Sequence, residues 1–135
     1  MRGMKIKLAI ASVVAAVAAG VGASSSSAAV QQFAVNPQAT ILLNGTDAEV
    51  TGVIRCTFGD TVDVEAIVTQ SKGSLFTEGI GDTVVNCTGS LQSWTVEAPA
   101  EIGRYSPGKA SLLAQAFDSD GSSATDNETI HLSSK

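Results

Sequence analysis

From residue 39 to the end, apolar and polar positions alternate with period two. No segment after the first thirty residues sustains an apolar repeat at three- and four-residue intervals. A strand shows its two faces alternately, whereas a helix repeats every 3.6 residues, so the pattern predicts an all-β domain. The cleanest stretch is 62–69, with Val62, Val64, Ala66 and Val68 on one face and Asp63, Glu65 and Thr69 on the other. One buried and one wet face is the mark of antiparallel sheets packed as a sandwich.

The same reading predicts strands at 39–43, 48–57, 83–87, 92–98, 109–118 and 123–132, with turns at Asn44-Gly45, Phe58-Gly59-Asp60 and Asp118-Ser119-Asp120-Gly121. About seven short strands at this spacing suit a sandwich. The stretch 71–82, with Lys72-Gly73-Ser74 and Gly79-Ile80-Gly81-Asp82, reads as a loop or an edge strand of weak register. The predicted inward set is Val50, Ile54, Val62, Val64, Ala66, Val68, Trp94, Val96, Ala110, Leu112, Ala114 and Ala116, and Tyr105 is expected to plug the base of the sandwich.

The first thirty residues follow a different logic. Met1 to Lys7 is basic, and no charge then occurs from Leu8 to Val30, where an Ala/Val-rich run gives way to Ser24–Ser27. A basic start, a short apolar run and small residues define a secretory signal, and the run is shorter than the ~20 apolar residues that span a bilayer. The expected organisation is a signal peptide at 1–29 cleaved near Ala29, a flexible segment at 30–38, and one domain at 39–132. Neither a lipid-accepting cysteine nor an anchoring tail is read, so the expected location is secreted and extracellular.

Cleavage removes Arg2, Lys5 and Lys7 and leaves five basic residues against thirteen acidic ones. An acidic surface repels phosphate backbones and anionic lipid, so nucleic acid and membrane surfaces are not expected partners. The expected partner is an extracellular protein or glycan, and the expected state a monomer.

In a chain read as secreted, Cys56 and Cys87 most simply form one disulfide. No catalytic or cofactor set assembles from the rest, and the domain is read as non-enzymatic, without cofactor. His131 stands without a partner near the end of the last strand. The acidic turn with Asp118 and Asp120, followed by Asp126 and Glu128, offers oxygen ligands but departs from the helix-loop-helix calcium pattern, with Ser122 and Ser123 where a ligand and a glycine belong. It reads as a hairpin turn that needs no ion, and no metal residue is assigned. Asp63 and Glu65 share an outer face, with no opposing carboxylate to be placed against them. Asn44, Asn86 and Asn127 each begin an Asn-x-Thr acceptor pattern, which carries no meaning in a bacterium lacking the glycosylation pathway.

Gly52-Val53-Ile54-Arg55-Cys56-Thr57 with Val62-Asp63-Val64, then Val85-Asn86-Cys87-Thr88-Gly89, Trp94-Thr95-Val96 and Pro107-Gly108-Lys109-Ala110, resembles a group of small secreted actinobacterial proteins classed only as a domain of unknown function. The resemblance spans about 39–132 and implies an Ig-like sandwich, an actinobacterial secreted origin and the disulfide, but no activity. The order of residues departs from antibody-type domains, where the tryptophan lies between the cysteines and a tyrosine stands two residues before the second. Here Trp94 follows Cys87 and Val85 takes the tyrosine position. The implied role is extracellular binding or adhesion. A small-ligand carrier, resembling the secreted Ig-like apoproteins that hold enediyne chromophores, is the alternative, although those proteins carry two disulfides.

Overall fold

The structure is a computed structural model and describes residues 29–135. The segment read as a signal lies, except for Ala29, outside the described residues. Nine strands follow: β1 (Val30–Val35), β2 (Gln38–Leu42), β3 (Asp47–Cys56), β4 (Thr61–Lys72), β5 (Leu75–Asn86), β6 (Gln92–Glu97), β7 (Ala100–Ile102), β8 (Gly108–Asp118) and β9 (Ser123–Ser134). One layer is β3 with β6 on one edge and β1 and β2 end to end along the other; the second runs β9-β8-β4-β5-β7, and β2 pairs β9 as well as β3. Every pairing is antiparallel except that of β2 with β9. This is an Ig-like antiparallel sandwich with a single disulfide.

All twelve residues read as inward are buried. They meet Ile41, Ala48, Ile130 and Leu132 in one core between the layers. The strands from 48 to 57 and from 92 to 132 lie within about two residues of their predicted bounds, because each carries one apolar face whose burial fixes its register.

Besides the short β7, which forms where no strand is predicted, two segments differ from expectation. The stretch 30–38, expected to be flexible, contains β1 and the start of β2. Its alternation is masked by an irregularity between Val30 and Gln32, where two residues of β1 span one step of β3. At Pro37 the chain turns from one layer toward the other: Asn36 N–H still donates to Thr51 of β3, while Pro37 C=O accepts from His131 of β9. Proline has no N–H to continue a ladder, which suits a strand that must change partners.

The stretch 71–82, read as loop or weak edge, completes the β4–β5 hairpin, paired from Thr61↔Asn86 to Lys72↔Leu75. Its turn is the two residues Gly73-Ser74, and Gly73 adopts φ +61°, the glycine-first conformation that matches the twist of paired strands.

The disulfide joins Cys56, the last residue of β3, to Cys87, just after β5, with Cα atoms 5.3 Å apart. It therefore ties one layer to the other at one pole of the sandwich.

Candidate binding face

The outer face of β5-β4-β8 carries side chains in rows fixed by register. Ile80, Ile67 and Leu113 stand directly opposite one another, forming an apolar row across three strands. Next to it lies Asp82, Glu65 and Gln115, and then Val84, Asp63 and Phe117. Directly opposed residues approach to about 5 Å between Cβ atoms, so these nine side chains form one continuous patch. Val84, Phe117, Ile80 and, nearer the hairpin turn, Phe76 are exposed.

β5 inverts the usual rule. Its outward positions include Phe76, Ile80 and Val84, whereas its inward ones are mostly small, with Thr77, Gly79, Gly81 and Thr83 preceding Val85. The two glycines stand there because the β6–β7 corner crosses directly over them: a Cβ on Gly81 would collide with the Glu97 carbonyl, and one on Gly79 with the Tyr105 hydroxyl. Ala98 and Ala100 donate their N–H groups to Ala48 and Thr46, which holds that corner against β3 and the turn before it. Phe76, Ile80 and Val84 are thus turned to solvent, and Val85 alone of the apolar residues of β5 enters the core.

The acidic residues of the patch repel one another. Asp63 is pushed above the ordinary carboxylate value, first by burial, then by its hydrogen bond to and the charge of Asp82, and then by Glu65. Like charges on directly opposed strand positions, as Glu65 and Asp82 are, destabilise a sheet. The carboxylate opposite Glu65, not placed from sequence, is therefore Asp82, hidden because 71–82 read as a loop or an edge strand of weak register.

The remaining candidate residues scatter over the molecule. Trp94 is buried as expected: its indole lies over Gly52, donates to the Val53 carbonyl at 3.1 Å and stacks on Phe33 at 5.5 Å. Tyr105 is buried, and its hydroxyl donates to Ala98 C=O at 2.9 Å. Burial, followed by the charges of Asp47, Glu101 and Glu78, pushes this phenol well above its ordinary value. His131 is exposed on β9 opposite Lys109, and Asn44, Asn86 and Asn127 are all exposed.

Asp118 and Asp120 lie at the pole that holds the disulfide, joined there by Asp60, a residue not singled out from the sequence. Asp60 closes the turn between β3 and β4, where its C=O accepts from Cys87 N–H at 2.9 Å. Its carboxyl is raised by burial, then by the charge of Asp118 and a hydrogen bond to it, and then by the charge of Asp120. Asp120 is held below the ordinary value, first by the Ser122 backbone N–H at 2.8 Å. Asp126 lies elsewhere, accepting from Val35 N–H at 3.0 Å.

The chain matches no family model and no curated protein sequence. Among solved structures it is similar to murine CRIg, at 14% identity and a TM-score of 0.37, over 77% of this chain and 97% of that one. Among the described residues no helix is long and apolar enough to cross a membrane.

Proposed function

We propose that the chain is a secreted, non-enzymatic Ig-like module that binds another extracellular protein through the outer face of β5-β4-β8. The observation that carries this reading is the patch itself, in which an apolar row and a row of like charges lie side by side on solvent-facing strands. Exposing Ile80, Val84 and Phe117 gains the isolated domain nothing, and opposing Glu65 with Asp82 costs it stability. Both features are favourable once a complementary surface covers them. The charge states that complement: an apolar centre flanked by Lys or Arg, which would neutralise Asp63, Glu65 and Asp82. A second copy of this chain would instead set carboxylates against carboxylates, so the face suits a different partner and a monomeric domain. The basic start of the chain, its apolar run, the disulfide and the resemblance to small secreted actinobacterial proteins support export.

The test is peptide selection from a random displayed library against the disulfide-bonded domain. Selected peptides are expected to combine aliphatic or aromatic residues with Lys or Arg. Binding should fall at least tenfold in Ile80→Asp and in Phe117→Ser, with melting temperatures close to that of the parent, and persist in Thr95→Glu on the opposite layer. Peptides indifferent to both face substitutions would refute the assignment.

A further inference from the structure

At the disulfide pole, three carboxylates from two separate turns converge. Asp60, Asp118 and Asp120 each offer an oxygen within 4.8 Å of the other two. The turns are locked together beside them, since Ser119 N–H donates to Thr61 C=O at 3.1 Å and Asp118 stands opposite Val62 in the ladder. Acidic residues at turns are common, and convergence alone would carry nothing.

The second observation is the state of Asp118. Its residue is only 6% exposed, yet it carries a carboxylate. Oδ1 is satisfied, accepting from Asp120 N–H at 2.9 Å and from the Ser119 hydroxyl at 3.4 Å. The Asp60 carboxyl meets Asp118 within hydrogen-bonding reach, yet Oδ2 is buried with no N–H or hydroxyl donor, and the Ser122 hydroxyl oxygen in the same turn is likewise buried without a partner. A buried anionic oxygen left without a donor is costly, and here it belongs to a carboxylate whose near neighbours are two more carboxylates.

We infer that Asp60, Asp118 and Asp120 form a divalent-cation site, selective for calcium, that fastens the β3–β4 turn to the β8–β9 turn. The donors are all oxygen, which selects a hard cation over zinc or copper. Coordination demands separate calcium from magnesium. Magnesium takes near-ideal octahedral geometry at about 2.0–2.1 Å and dehydrates reluctantly, whereas calcium accepts six to eight oxygens at about 2.3–2.6 Å in flexible geometry, which suits carboxylates drawn from two separate turns. Exposed Asp120 and half-buried Asp60 leave room for water to complete the six to eight oxygens that calcium takes. With three protein carboxylates on short turns, the affinity belongs in the range of extracellular modules, ~10⁻⁴–10⁻³ M. Binding would link the interlayer β3–β4 turn to the β8–β9 hairpin turn, beside Cys56–Cys87.

Calorimetric titration of the EDTA-treated, dialysed domain with CaCl₂ tests this, together with melting at 10 mM CaCl₂ and at matched ionic strength in NaCl. One saturable site and a rise of about 5 °C are expected, with a smaller rise in MgCl₂. Asp118→Asn and Asp60→Asn should each abolish the titration and the rise. Asp118→Asn keeps an acceptor for Asp120 N–H and Ser119, and loses the charge, so in EDTA it should melt no lower than the parent. Glu101→Gln, on exposed β7, should keep the full response. The site is refuted if calcium gives no saturable heat, if NaCl produces the same rise, or if Asp118→Asn and Asp60→Asn still respond. An equal response to MgCl₂ would overturn the assignment to calcium.

Discussion

Glu97 shows how a single carboxyl reports on its neighbours. It is the last residue of β6, and its carboxyl is raised above 4.5, first by a hydrogen bond with Asp47, then by the charge of Asp47, by burial and by Glu49. Asp47 is itself buried, and its Oδ1 has no hydrogen-bond partner. A carboxyl whose value is raised on folding makes the ionised form the unfavourable one, so its cost is present at neutral pH and is relieved as pH falls through the raised value. Glu97→Gln removes one of the two charges and brings an N–H toward the Asp47 oxygen. The variant should melt above the parent at pH 7, and the gap should close as the pH is lowered toward 4.5; melts across that range check it, and a gap that widens on acidification would reverse the sign. Nothing in the sequence pairs residues fifty positions apart. The two meet because β3 and β6 lie side by side, with Glu49 directly opposite Glu97.

Among the elements, β5 is the one whose local pattern misled. Phe76, Ile80 and Val84 alternate on the face opposite to that used by its neighbours' apolar residues, and its glycines read as loop or weak edge strand. Those glycines answer to the crossing corner of β6–β7, a tertiary contact. Gly81→Ala would drive a methyl into the Glu97 carbonyl, and because backbone stands there, neither side can yield cheaply. Forcing extra volume into a packed site costs about 1–3 kcal/mol, whereas Ser74→Ala at the hairpin turn should stay within about 0.5 kcal/mol. Urea denaturation of the two variants separates them, and equal midpoints would remove the close approach. β1 escaped for a related reason, since one irregular step hid its period.

For the molecule as a whole, the disulfide is the covalent link between layers that otherwise share a core and the strand β2. It closes a loop with a sequence separation of 31. In the chain-entropy account, such a loop restricts the unfolded chain by about 3–4 kcal/mol. Cys56→Ser and Cys87→Ser should therefore each lower stability by that amount and match one another, because either removes the same link. Denaturant unfolding of both variants measures this, and unequal losses would mean that one sulfur has a packing role the other lacks.

The twelve inward positions, the all-β class and the cysteine pair were legible in the sequence. Each is expressed locally, in an alternation that a strand must obey when one face is buried, or in the pairing of two thiols. Which faces stayed uncovered was not legible. The apolar row Ile80-Ile67-Leu113 draws on three strands, and the cluster Asp60-Asp118-Asp120 on two turns far apart in the chain. Such juxtapositions are set by strand order and register across the sandwich, and only the folded chain decides those.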